Sequence, residues 1–315
     1  MYESFYGLSE LPFELTANPK FLFLNASQRE ALSVLQYGLF SAKSLTVLVG
    51  EAGTGKTTLI QAALDSDRCR NVRGVYLNNP TLGPEDFIRV LARKLDLGVE
   101  AAQSKPVLLE RLTQLLGERH AAGQTTALIV DEAQRLSIET LEEIRLLANI
   151  ETRVTKLLPL VLAGQPELGA RLEEPDLRQL KQRVTLRSHL QPFELADTAG
   201  YIASRITTAG GTPSLMFSLE AVNLIHEYSG GIPRTINVIC DNALVSAMAR
   251  GVPLVDSACI AEVGRDLWLT GKRQSATPGT PVVTPKAADA PPRHDPHGRS
   301  VAAVTSTRAG RTTTE

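Results

Sequence analysis

The chain has 315 residues with 33 Lys or Arg against 34 Asp or Glu, and its 43% of hydrophobic residues is ordinary for a globular protein. The charge is uneven, since residues 272–315 hold seven basic and three acidic side chains, whereas the first 271 residues hold 26 and 31. An acidic body disfavours a protein built mainly to bind the phosphate backbone of nucleic acid, which usually takes a basic domain.

The N-terminus and the cysteines indicate the compartment. The start, MYESFYGLSE, has an acidic residue where a secretory signal has positive charge, and no apolar segment follows it. The longest apolar run, at 157–164, is under half of the ~18 residues that a membrane span requires. Cys69, Cys240 and Cys259 form no C-x-x-C pair, which favours buried thiols over a zinc site or disulfides. We therefore expect a cytoplasmic protein without direct membrane insertion.

Short apolar runs alternate with stretches of helical periodicity over the first 191 residues. The runs lie at 45–49, 74–78, 127–131, 158–164 and 184–190. Continuous apolar runs of this length are typical of buried strands in a parallel sheet, with helices as the connections. The pattern predicts an α/β domain at 1–191.

A second, all-helical domain is predicted at 192–270. Its helices are expected at about 196–208, 218–229, 233–250 and 256–268. Pro233 suits a first helical position, Asp256 can cap the last helix, and glycines stand where helices are expected to end, at 210, 230 and 251.

The remaining residues, 271–315, are rich in Pro, Thr and Ala and contain no aromatic side chain. Such a segment cannot bury enough apolar surface to offset its ordering entropy, so we expect a disordered tail. The stretch TPGTPVVTP favours extended polyproline-like conformations that a partner could bind, and a solvated tail without a specific role is the alternative.

The segment GEAGTGKT at 50–57 matches G-x-x-x-x-G-K-[ST] directly between a predicted strand and a predicted helix. In such a loop, successive backbone N–H groups and the helix N-terminus point at phosphate oxygens. Lys56 is placed to reach the β and γ phosphates, and the Thr57 hydroxyl to ligate Mg²⁺. The predicted nucleotide-binding residues of the loop are Gly50, Glu51, Ala52, Gly53, Thr54, Gly55, Lys56, Thr57 and Thr58.

An acidic pair, Asp131 and Glu132, ends the predicted strand TALIVD, at the strand end where ligands bind in open α/β sheets. Asp131 is expected to hold Mg²⁺, usually through water, and Glu132 to polarise the water that attacks the γ-phosphate. A solvated loop or a helix cap is the usual alternative for such a pair. The phosphate loop upstream favours the catalytic interpretation.

Together with these motifs, five further segments resemble the secretion-pathway protein A (ExeA/GspA) group of AAA+ ATPases over residues 1–268. They are MYESFYGLSELPFELTANPKFLFL, LEEIRLLANIET, VLAGQPEL, LKQRV and SGGIPRTIN. The resemblance implies a P-loop three-layer sandwich with a helical lid, and hydrolysis of ATP to ADP and phosphate with Mg²⁺. It also implies a homo-oligomeric ring or filament that serves a cell-envelope machine for secretion, pilus assembly or exopolysaccharide export, through a protein partner at the inner face of the membrane.

Members of that group continue through a membrane helix into a peptidoglycan-binding module, whereas this sequence continues into the polar tail. Any recruitment to the inner membrane is therefore expected to pass through a partner. A second hypothesis is an ATP-controlled DNA-binding assembly factor like the AAA+ regulators of transposition, whose motifs would look similar. The acidic body disfavours DNA as a partner.

The resemblance assigns further site residues. It implies that Gln165 is sensor 1, which contacts the γ-phosphate or the attacking water, and that Arg234 is sensor 2 on the lid. Arg183 matches an arginine finger that completes a neighbour's site, with Arg178 as the rival. Asn78 or Asn79 would restrain Glu132, although the same pair suits an ordinary turn.

The aromatic side chains near the N-terminus would lie at the adenine side of the site in this group, and core packing is the alternative for them. They are Phe5, Tyr6, Phe13, Phe21 and Phe23.

Overall fold

The structure is a computed structural model, and it describes residues 1–16, 18–77 and 83–269. The chain divides into a compact unit over Met1–Ser275 and a second unit over Ala276–Glu315. The predicted tail at 271–315 lies outside the described residues, as do Asn78 and Asn79.

A parallel sheet organises the first part of the chain. Its strands among the described residues are β1 (Leu45–Gly50), β2 (Val72–Leu77), β3 (Thr125–Val130), β4 (Leu160–Gly164) and β5 (Val184–Leu190). They lie in the order β2-β3-β4-β1-β5, and all pairs are parallel. The five predicted strands are confirmed, with ends shifted by at most two residues. One shift places Asp131 just beyond β3 instead of at its last position.

The short α1 (Glu3–Tyr6) belongs to the N-terminal segment, and the helices that follow cover both faces of the sheet. They are α2 (Ala26–Phe40), α3 (Lys56–Leu64), α4 (Pro84–Lys94), α5 (Val99–Gln103), α6 (Lys105–Ala121), α7 (Ile138–Leu147), α8 (Pro166–Arg171) and α9 (Arg178–Lys181). Alternate residues of β1 enter different cores, because side chains of a strand alternate between its faces. Leu45 and Val47 pack in the cluster with α4, α6 and α7, and Leu48 packs in the cluster with α2 and α3. The predicted three-layer α/β sandwich is confirmed.

A helical region follows the sheet. It consists of α10 (Leu195–Thr208), α11 (Pro213–Met216), α12 (Leu219–Ser229), α13 (Pro233–Ala249) and α14 (Ser257–Asp266). The four predicted helices are confirmed within two residues at each end, and the four-residue α11 was not predicted. Pro233 is the first residue of α13, and the Asp256 carboxylate accepts from the Cys259 N–H at 2.9 Å and caps α14.

The N-terminal segment packs with these helices. Tyr2, Leu8, Phe13 and Phe21 are buried in the same apolar cluster as the inner faces of α10, α12 and α13. The side chain of Phe5 is exposed. The N-terminal segment thus precedes the sheet domain in sequence but packs against the helices of the lid.

The three cysteines are free and buried, as expected. No helix among the described residues is both long enough and apolar enough to cross a membrane.

Candidate active site

A cavity of about 340 Å³ lies where the loop after β1, the N-terminal segment and the lid meet. Its volume is in the range of sites that hold small organic ligands. The residues that line it are Glu14, Leu15, Thr16, Asn18, Phe21, Leu22, Phe23, Gln28, Gly53, Thr54, Gly55, Lys56, Thr57, Thr58, Leu59, Glu132, Phe193, Tyr201, Arg205, Pro233, Arg234 and Asn237. A larger cavity, about 620 Å³, lies between α4 and α5, and none of the predicted site residues lines it.

The phosphate loop leads from β1 into α3. Gly53 and Gly55 have φ of +82° and +93°, a conformation that residues with a β-carbon rarely adopt. Lys56 starts α3 and is 5% exposed, and its Nζ donates to the carbonyls of Gly50 at 2.8 Å and Glu51 at 3.0 Å. Burial lowers the pKa of the Lys56 ammonium, and nearby carboxylates, Glu132 first, oppose that shift. The loop therefore holds the buried Lys56 ammonium at the N-terminus of α3.

Thr57 and Asp131, the two predicted magnesium ligands, lie side by side. The Thr57 hydroxyl donates to Asp131 Oδ2 at 2.6 Å, which joins the start of α3 to the end of β3. No group of three or more His, Cys, Asp or Glu side chains that could hold a metal occurs in the described part of the chain. A magnesium ion would therefore take its remaining ligands from the phosphates of a nucleotide and from water, which is usual for this ion.

Glu132 follows Asp131 with φ of +53°, which is uncommon for a residue other than glycine. Its Oε2 accepts from the side-chain amides of Gln134 at 2.8 Å and Gln165 at 3.3 Å. Burial raises the pKa of the Glu132 carboxyl, but these two donors and the charge of Lys56 outweigh burial, so the pKa is lowered. Glu132 is thus an ionised carboxylate, the form that a base requires.

Arg234 of the lid contacts the phosphate loop. Its backbone N–H donates to the Gly53 carbonyl at 3.2 Å, and its side chain lines the cavity. The structure thus brings the predicted sensor 2 to the predicted loop.

The two finger candidates lie away from the cavity lining. Arg183 is half-buried between α9 and β5, near Glu151, where Lys156 first and Arg183 more weakly lower the pKa of the Glu151 carboxyl. Arg178 is exposed at the start of α9. Neither arginine is brought to the site of its own chain.

Arg205 of α10 lines the cavity, and no sequence motif predicted it. The residue is 7% exposed, and its guanidinium donates to the carbonyls of Pro12 and Glu14 and to the Tyr201 hydroxyl at 2.7 Å and lies 4.9 Å from the centre of the Phe21 ring. It ties the N-terminal segment to the lid. Phe21 and Phe23 line the cavity and also pack in the lid cluster, which confirms core packing, and their place beside adenine stays a prediction.

Comparison with known proteins identifies relatives of this arrangement. The model of a family described as an AAA domain matches residues 40–172. General secretion pathway protein A of Aeromonas hydrophila is 41% identical over 251 residues, which is 80% of this chain and 46% of that protein. The chain therefore spans about half the length of this relative.

Two further comparisons are with a transposition protein and with a solved structure. The Mu-like prophage FluMu DNA transposition protein B of Haemophilus influenzae is 26% identical over 213 residues, 66% of this chain and 67% of that protein. The crystal structure of Cdc6p from Pyrobaculum aerophilum superposes with a TM-score of 0.63 and 18% identity, covering 89% of this chain and 74% of that one. The latter likeness concerns the fold.

Proposed function

We propose that this chain, whose residues 40–172 match an AAA domain and which resembles General secretion pathway protein A, hydrolyses ATP to ADP and phosphate with Mg²⁺. The observation that carries the proposal is that Lys56, Thr57 and Glu132 line the 340 Å³ cavity, with Asp131 hydrogen-bonded to Thr57. Lys56 suits the phosphates, Thr57 and Asp131 suit the cation, and Glu132 suits the attacking water.

The roles follow from the chemistry of each side chain. Lys56 places a fixed charge near the terminal phosphates, and Arg234 adds a second from the lid. Thr57 and Asp131 would hold Mg²⁺, whose charge offsets that of the phosphates. Glu132 accepts a proton from the water that attacks the γ-phosphorus.

We propose that activity requires assembly into a homo-oligomer. Arg183 and Arg178 do not line the cavity of their own chain, which leaves either one free to enter a neighbour's site. A guanidinium placed there would stabilise charge on the transferred phosphoryl group.

The test of hydrolysis is Glu132→Gln, which keeps the size of the side chain and removes the base. We expect ATP affinity within about threefold of the wild type and a turnover lower by about 100-fold or more. Nucleotide titration and phosphate release measure the two quantities, with Lys56→Ala as the variant that loses binding. Turnover at the wild-type rate in Glu132→Gln would contradict the role of Glu132.

We propose that the energy serves a cell-envelope machine, because the resemblance to General secretion pathway protein A covers most of the chain. The second candidate is ATP-controlled binding to DNA, favoured by the match to a DNA transposition protein B. The acidic composition of residues 1–271 supports the first candidate over the second.

Titration with duplex DNA in ATP across a salt series separates the two. A DNA-binding factor gives an affinity that falls steeply with salt, because each phosphate contact releases counterions. We expect no binding even at low salt. A steep salt dependence with ATP, lost in Lys56→Ala, would favour the second candidate, and a pull-down with Glu132→Gln in ATP would then identify the partner.

A further inference from the structure

Gln134 lies in the turn Ala133–Arg135 after Glu132 and bridges the ends of two strands. Its Nε2 donates to Glu132 Oε2 at 2.8 Å, and its Oε1 accepts from the backbone N–H of Gln165 at 3.1 Å. Both ends of the Gln134 amide therefore make hydrogen bonds. The nitrogen bonds to Glu132, which follows β3 and Asp131, and the oxygen bonds to Gln165, which follows β4. Gln165 in turn donates to the same Glu132 oxygen.

The position of this amide is fixed from two sides. Arg171 of α8 donates to the carbonyls of Gln134 at 2.6 Å and Leu136 at 2.7 Å, which holds the turn itself. A β-carbon at Gly164 would lie 2.7 Å from Gln134 Oε1, so the amide packs directly against bare backbone. Since the turn and the packing surface are both set, the direction of the donated hydrogen bond is set as well.

The Glu132 carboxylate depends on such anchoring. Its backbone has φ of +53°, a left-handed conformation that is unfavourable for a residue with a β-carbon, so local preferences alone do not hold it. Both amide donors act on Oε2. Among the described residues no hydrogen-bond donor contacts Oε1.

We propose that Gln134 is a positioning residue for hydrolysis, which fixes Glu132 through Oε2 so that Oε1 serves as the base, and which sets the backbone of Gln165 at the same time. This inference rests on the proposed hydrolysis of ATP. Gln134 itself contacts Glu132 and Gln165 and acts through them.

Two substitutions separate its two hydrogen bonds. Gln134→Met keeps a similar volume and removes both bonds. Gln134→Glu keeps an acceptor for the Gln165 N–H, removes the donor to Glu132 and adds a like charge beside it. The matched control is Gln124→Met, at an exposed position before β3.

The full-length chain is assayed for turnover, KM, affinity for a fluorescent ATP analogue and melting temperature. We expect turnover to fall by about tenfold or more in both Gln134 variants, with ATP affinity within about threefold of the wild type. Gln124→Met is expected to match the wild type. The loss in a Gln134→Met, Gln165→Met double variant should be smaller than the product of the single losses, because the two amides share one oxygen.

If the wild type and Gln134→Glu hydrolyse ATP equally fast, the hydrogen bond from Gln134 to Glu132 has no effect on turnover. That result would overturn this inference but not the proposed function. A faster Gln134→Met would also overturn the inference, because the amide would then restrain the base. Equal losses of turnover and ATP affinity would assign Gln134 to structure only. A wild-type chain without hydrolysis would overturn the proposed function and this inference together.

Discussion

Gly53 is the residue at which the phosphate loop touches the lid. A β-carbon there would lie 2.8 Å from Arg234 Cβ and 3.0 Å from Ile232 Cγ2, and the φ of +82° disfavours any side chain. Two independent costs thus act at one position, one local and one between loop and lid.

We expect Gly53→Ala to weaken ATP binding by about tenfold, because the left-handed conformation alone costs about 1–2 kcal/mol and the methyl group pushes the lid outward. Nucleotide titration measures the loss. The control is Gly117→Ala in α6, where a β-carbon meets nothing within 4 Å and should be neutral or slightly stabilising. Wild-type affinity in Gly53→Ala would show that the loop and the lid are not in contact during binding.

Residues that belong to a sequence motif were predicted. Residues that act through partners far away in the sequence were not. Lys56, Thr57, Asp131 and Glu132 follow directly from a loop or a strand end, so their neighbours in sequence indicate their chemistry. Gln134 reaches a residue 31 positions away and Arg205 a residue 193 positions away. A side chain of either type is common on a surface, and only the fold gives it a partner.

Arg205 makes one set of the contacts between the N-terminal segment and α10, which also include the hydrogen bonds of Ser9 to Ala209 and the buried rings of the segment. Arg205 donates to two backbone carbonyls of that segment, and no acidic group forms an ion pair with it in the described part of the chain. Because the Pro12 carbonyl would be left without this donor, loss of the guanidinium costs more than loss of an exposed arginine.

We expect Arg205→Met to destabilise the protein by about 2 kcal/mol or more, with faster proteolysis in the first 20 residues and weaker ATP binding. Denaturant unfolding and limited proteolysis measure the first two effects. Arg265→Met is the control, since that side chain is exposed and bonds only within its own helix. Equal stability of the two variants would mean that the segment is held by its aromatic rings.

The elements themselves were predictable because their signals are local. Apolar runs predicted every described strand, and glycine, proline and Asp256 predicted the limits of the long lid helices. The short α11 has four residues, too few to show a helical period. The contact of the N-terminal aromatic residues with the lid could not be predicted, since apolar side chains indicate burial without naming the surface that buries them.

At the scale of the molecule, Arg183 and Arg178 do not line the cavity of their own chain. In the proposed assembly, one of these two arginines supplies its charge to a neighbour's site. The side of the molecule near the start of β5 would then be the face that meets the next subunit.

We expect Arg183→Ala and Lys56→Ala each to be inactive alone, and their mixture to recover part of the wild-type turnover. In the mixture, the intact nucleotide pocket of the Arg183→Ala subunit would be completed by the intact Arg183 of the Lys56→Ala subunit. Recovery therefore requires a site shared between two subunits. Phosphate release across mixing ratios is the measurement, and Arg178→Ala tested in the same way decides between the two arginines. A mixture without activity in both pairings would contradict a finger acting between subunits.

The bond from the Arg234 N–H to the Gly53 carbonyl has an evolutionary consequence, because it joins main chain to main chain. Any residue except proline at position 234 has the N–H that donates this bond. Substitution of the side chain therefore does not remove the hydrogen bond between the lid and the phosphate loop. Selection at that position is then free to act on catalysis, regulation or nucleotide preference without a penalty in assembly of the pocket. Related chains can therefore diverge in the chemistry of position 234 while preserving the same architecture around it.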